Sequence, residues 1–170
     1  MMKALAWTIG VRPNPNLLFK SAADETPQSM IGWALHWQAR GLTIFPCKPF
    51  IGLPLVRSWP KEAACNNWKI VEWWSEQPRA DIAAIPDAAG CFVIVAVGDQ
   101  GFDTLDQIEP HCGEPVLETE SADGSLHRWF PGRAPTQRLH HGLYVFGVGS
   151  YLYMPASLAP DPVARFAEAA

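Results

Sequence analysis

Apolar residues along this chain fall into two spacings, one suited to amphipathic helices and one to short buried strands. Ile31, Ala34, Leu35 and Ala39 recur at helical intervals behind Ser29, whose hydroxyl can cap a helix start, and Gly41 closes the pattern. A helix is therefore predicted over 30–40. Leu42 to Pro46 is a compact apolar run that reads as a strand, followed by a loop rich in Pro and Gly through Pro54. From Asn67, the set Trp68, Ile70, Val71, Trp73 and Trp74 fits a second helix stopped by Pro78, with two of the three tryptophans buried. Strands are predicted at 81–85 and 91–97, and the second is apolar on both faces, hence central. Thr104 to Ile108 starts a short helix that Pro110 ends, and further strands follow at 115–120, 126–130, 142–146 and 150–154. This order predicts an α+β domain over 29–158, with a central mixed or antiparallel sheet flanked by helices. Residues 1–28 read as an N-terminal extension and 159–170 as an alanine-rich tail, either a last helix or a frayed end.

Composition narrows the class. A chain of 170 residues supports one domain with a proper core, and 48% hydrophobic against 18% charged residues places it among globular proteins. The formal charge of -4 argues against a surface that grips phosphate backbone all over, while leaving room for a local basic groove. Cys47, Cys65, Cys91 and Cys112 contain no Cys-x-x-Cys pair, so neither a zinc ribbon nor a disulfide framework is expected. No apolar run approaches a membrane span, and Arg12, Pro13 and Pro15 interrupt the N-terminus, so a cytoplasmic protein without membrane contact is expected.

The central run Cys91-Phe92-Val93-Ile94-Val95-Ala96-Val97 carries the main chemical question. Residues at i and i+2 of a strand project from one face, where two carboxylates could share a cation but Val95 and Val97 can only pack. Asp99, Asp103 and Asp106 follow closely, and a slipped register would bring Asp99 to the strand tip; the commoner reading of Gly98-Asp99-Gln100-Gly101 is a turn. His140 and His141 are adjacent, so on a strand they would face opposite ways and could not chelate one ion; a solvated loop is expected. Arg128, Arg133 and Arg138 with Trp129 could form a basic, aromatic strip for single-stranded nucleic acid, or simply an ordinary surface. No Gly-x-Ser-x-Gly elbow, phosphate-cradling Gly-x-x-x-x-Gly-Lys loop or His-Glu-x-x-His motif occurs.

Four blocks in order resemble the N-terminal prim-pol domain of bifunctional DNA primase/polymerases, in the archaeo-eukaryotic primase superfamily. They are Ala34 to Pro46 with its Arg40-Gly41 turn and Phe45-Pro46 end; Pro54 and Trp59 through Ile70-Val71-Glu72-Trp73-Trp74; Gly90 to Leu105; and Thr119 through Gly124-Ser125-Leu126-His127-Arg128-Trp129-Phe130 to Gly149-Ser150-Tyr151 and Pro155-Ala156-Ser157. The resemblance implies two acids on one strand and a third on its neighbour, holding Mg or Mn that aligns a 3′ hydroxyl with a triphosphate. In this chain those positions fall on Val95 and Val97 and at or beside Tyr144. The family's lysine before Pro54 aligns with Gly52, with Lys48 close by. It further implies that His127 contacts nucleotide phosphates, with Ser125 on the same strand face and Arg128 completing a groove, although His127 could equally be a packed core residue.

The expectation is a DNA-replication-related domain, of the kind found in mobile elements, that is a pseudoenzyme with no metal cofactor. It would act by binding nucleotide, single-stranded DNA or a replication partner such as a helicase. One alternative keeps an active primase/polymerase through displaced carboxylates such as Asp99, with Mg or Mn; another is a protein-protein adaptor on a primase scaffold.

Overall fold

A computed structural model describes residues 27–64, 66–108 and 111–157. The expected extension, save residues 27 and 28, and the expected tail lie outside the described residues.

Helix α1 (Met30–Ala39) starts where Ser29 Oγ accepts the Gly32 N–H at 3.2 Å, and it stops at Gly41, whose φ of +85° a side chain would resist. Strand β1 (Ile44–Cys47) follows, wholly buried. A short helix α2 (Trp59–Glu62) was not legible, because four residues are too few to show a period. Helix α3 (Asn67–Glu76) is capped by Asn66, which accepts the Lys69 N–H at 2.9 Å. It buries Ile70, Trp73 and Trp74 while Trp68 stays 68% exposed, as the helical spacing predicted for two of the three tryptophans. Trp74 Nε1 donates to the Ala80 carbonyl at 3.0 Å, tying the helix to the start of β2 (Asp81–Ala84).

All named strand pairs are antiparallel, and they form two sheets rather than one. The smaller has the order β1-β2-β8, where β8 is Leu152–Tyr153. The larger has the order β4-β5-β3-β7-β6, built from β3 (Cys91–Ala96), β4 (Leu117–Glu120), β5 (Leu126–Pro131), β6 (Gln137–His140) and β7 (Leu143–Phe146). Strand β3 is central and buried along its whole length, as its unbroken apolar run predicted.

Each face of the larger sheet has its own core. Val93, Val95, Trp129, Tyr144 and Phe146 join the main core with α1, α3 and the smaller sheet. Phe92, Ile94, Ala96, Phe130, Leu143 and Val145 pack with Leu105 of helix α4 (Gly98–Ile108).

Two expectations are corrected. Gly98-Asp99-Gln100-Gly101 is the first turn of α4 and not a separate turn, so the helix begins well before Thr104. Gly98, at φ +66°, turns the chain out of β3; Phe102, Leu105 and Ile108 then face the sheet while Asp99, Asp103 and Asp106 stay at the surface. The other correction is β6, which occupies Gln137–His140 where a solvated loop was expected. As an outermost strand with mostly exposed side chains, it carries no apolar alternation to reveal it.

Candidate functional site

The register of the larger sheet places the residues of interest in one line. Val95 lies opposite His127 on β5 and opposite Tyr144 on β7; His127 in turn faces Thr119 on β4, and Tyr144 faces Arg138 on β6. Directly opposed residues share a face, with Cβ atoms about 4.5–5.5 Å apart. A single cross-strand row therefore reads Thr119, His127, Val95, Tyr144, Arg138, on the side of the main core. Val97 continues this face, its N–H donating to the Gly142 carbonyl at 2.7 Å and its side chain packing on the same core.

The row is closed and carries no carboxylate. His127 and Val95 are completely buried, and Thr119 and Tyr144 are each 7% exposed. At its outer end the Arg138 guanidinium lies 5.9 Å from the centre of the Tyr144 ring, and Arg138 Nη2 is 2.8 Å from His141 Nδ1. His140 and His141 are exposed, and no cluster of three or more His, Cys, Asp or Glu with metal-binding geometry occurs among the described residues.

Ser125 stands just before β5, one step along the face from His127, and is 1% exposed. Its N–H donates to Asp123 Oδ1 at 3.0 Å, and Ser121 Oγ donates to the same oxygen at 2.5 Å. Partial burial acts to raise the Asp123 carboxyl, but the hydrogen bonds from Ser121 and Ser125 and the nearby His127 outweigh it and hold the group below the ordinary carboxylate range. Sequence reasoning missed Asp123, although Asp123-Gly124 between two strand-like runs is a hairpin signal, and Gly124 does take the left-handed turn conformation. It also missed Thr119 and Trp129 as polar members of the buried face. Thr119 Oγ1 and Trp129 Nε1 are buried and find no hydrogen-bond partner among the described residues. Trp129 shares the face of His127 by strand alternation, whereas only the strand register could have shown that Thr119 adjoins it.

Other expected site residues lie elsewhere. Arg128 projects from the opposite face, since it alternates with His127 along β5, and it pairs there with Glu118 at 3.8 Å. The structure thus separates Arg128 from His127. Lys48 is exposed in the loop after β1, where its N–H donates to the Leu53 carbonyl and its own carbonyl accepts from Gly52. Asp99 is exposed on α4, the helix that covers the face opposite His127. An open groove of about 310 Å³ is lined by Pro46, Leu55, Val56, Arg57, Trp73 and neighbours, and none of its residues belongs to the larger sheet.

The family model described as bifunctional DNA primase/polymerase, N-terminal, matches residues 34–168. The chain belongs to that family. No curated protein sequence matches the chain.

Prim-pol membership brings the metal question to a test on donor chemistry. The positions that the resemblance assigns to metal-binding acids hold two aliphatic side chains and a buried phenol, and the adjoining register positions offer only hydroxyls, an imidazole and a guanidinium. Mg and Mn demand carboxylate or carbonyl oxygens in a near-octahedral set, so the residues present do not fit the ion. No catalytic step through a metal is derived for this prim-pol domain. Among its described residues, no helix is long and apolar enough to cross a membrane.

Proposed function

We propose that this prim-pol domain, DNA primase/polymerase-related by family, has lost metal-dependent nucleotidyl transfer and acts by binding nucleotide or single-stranded DNA. The row Thr119, His127, Val95, Tyr144, Arg138 carries the reading: where phosphoryl transfer needs acids that anchor cations, it offers methyl groups, an aromatic ring and hydrogen-bond donors. Alignment and charge neutralisation supply nearly all of phosphoryl-transfer catalysis, so their loss silences synthesis. Asp99 is a poor surrogate, because β3 keeps the register that points Val95 at His127 while Asp99 sits exposed on α4. Primer extension on a primed template, with Mg and then Mn, tests the reading; no product is expected, and robust template-dependent synthesis would overturn it. Should synthesis appear, Asp99→Ala asks whether that carboxylate supports it.

A second reading, a protein-protein adaptor, is favoured by the loop after β1. Phe50, Ile51, Leu53 and Leu55 expose 42–67% of their surface within six residues, an unusual density of apolar side chains in solvent. The loop is held in place: Phe50 N–H donates to buried Asp81 at 3.2 Å, Tyr153 Oη donates to the Gly52 carbonyl at 2.6 Å, and Cys47 bridges to Pro54. A Cβ on Gly52 would fall 1.9 Å from Tyr153 Oη, so glycine at the family's lysine position suits this packed arrangement. If the adaptor reading holds, the parent chain should bind neither a triphosphate nor single-stranded DNA, and Phe50→Ser with Leu53→Ser should abolish capture of a replication helicase.

A further inference from the structure

We propose that the exposed apolar loop after β1 is the docking site of this chain's own residues 158–168, which cross it as a strap. The inference stands apart from both readings above, although a partner chain would have to displace the strap to reach the loop. Phe50, Ile51, Leu53 and Leu55 leave 42–67% of their surface in solvent on a loop that its own hydrogen bonds hold in place, so the patch is preformed. The described residues end beside it. Strand β8 runs antiparallel to β2, toward Asp81, and Ser157 is fastened there: its Oγ accepts the Ile82 N–H at 2.8 Å and donates to the Ile82 carbonyl at 3.1 Å. The neighbouring Asp81 is the acceptor for the Phe50 N–H. Among the described residues, the non-glycine residues with a left-handed backbone are Phe50, at φ +61°, and Ala156, at φ +80°. Such conformations persist where their surroundings impose them, and here one shapes the loop and the other aims the departing chain.

The strap has the composition to cover the patch. Leu158, Val163 and Phe166 are apolar, and Val163, Phe166 and Ala167 recur at the spacing of one helix face behind Asp161-Pro162, a helix-start pair. Leu158 to Phe166 can span at most about 30 Å, ample for a loop held one residue away from the anchor of Ser157. Charge agrees with this placement. No Asp or Glu occurs from Thr26 through Lys61, and exposed Lys48 and Arg57 flank the loop, while the strap brings Asp161 and Glu168 against a single Arg165. The family match also continues through residue 168, so the strap belongs to the matched span.

Trypsin cleavage after Arg165 in the full chain, read by intact mass, provides the test, each chain being scaled to a free synthetic peptide of its own residues 158–170. A docked strap is cut only while undocked, so the parent should be cut at least about tenfold more slowly than its peptide. Phe50→Ser with Leu53→Ser should remove most of that protection, Val163→Ser should do the same, and combining them should add little, because each removes one side of the same contact. Absence of cutting at Arg128, inside β5, shows that a variant remains folded; if the loop variant is cut there, Val163→Ser alone decides. A parent cut as fast as its peptide overturns the inference and leaves the adaptor reading standing. So does protection that the substitutions leave untouched, or protection that grows with protein concentration, which would place the strap on a second copy.

Discussion

At Val95 the side chain is wholly buried between His127 and Tyr144, and its methyl groups contribute packing on the order of 1.5–3 kcal/mol that a carboxylate could not. The polar chemistry of this region is displaced by a few residues, onto the hairpin that holds Ser121, Asp123 and Ser125. Asp123 is held below the ordinary carboxyl value of 3.8, so its ionised form stabilises the fold above that pH, and the contribution fades as pH falls through the lower folded value. Asp123→Asn should therefore be less stable than the parent at neutral pH and converge with it in acid below that ordinary value, as denaturant titrations at stepped pH would show. Cys91 lies at the other extreme: burial pushes its thiol up to about 11, and it is fully enclosed at the start of β3. It should resist alkylation at pH 8 in the native protein and react on unfolding, read by mass spectrometry.

Among the elements, α4 shows how a helix can be hidden by its own first turn. Gly98 and Gly101 have low helix propensity and Asp99 favours turns, so the opening four residues read as a connection. Their structural purpose is close approach. A Cβ on Gly101 would fall 2.4 Å from the Gly142 carbonyl oxygen, and Gly142 sits at φ +71° in the tight turn between β6 and β7. Helix and turn thus meet backbone to backbone. Gly101→Ala should push α4 away from β7 and cost about 1–3 kcal/mol of unfolding free energy, overriding the better helix propensity of alanine. Chemical denaturation followed by circular dichroism gives the answer, and a stabilised variant would mean that the contact yields easily. The same packing explains why Asp99 begins an outward acidic stripe instead of ending a strand.

For the whole molecule, the two sheets enclose the position where family chemistry would require an open, hydrated, carboxylate-lined cleft. Restoring the acids alone should therefore fail. Val95→Asp places a charge among buried apolar groups and should cost about 3–5 kcal/mol at pH 7. Burial raises the pKa of such a carboxyl, so the penalty should shrink in acid, where the group is protonated, and thermal melts at pH 7 and pH 4.5 would reveal it. The sequence by itself determined the α+β class, the antiparallel-capable order of strands, the central position of β3, the caps at Ser29 and Gly41, and the family blocks. These depend on local spacing, turn chemistry and unbroken apolar runs, which are written residue by residue. The split into two sheets, the outermost strand β6, and the placing of Thr119 and Val95 beside His127, with Tyr144 next beyond Val95, were decided only by tertiary pairing. Register and burial come from contacts between segments far apart in the chain, and no local pattern encodes which strand a polar side chain will stand beside.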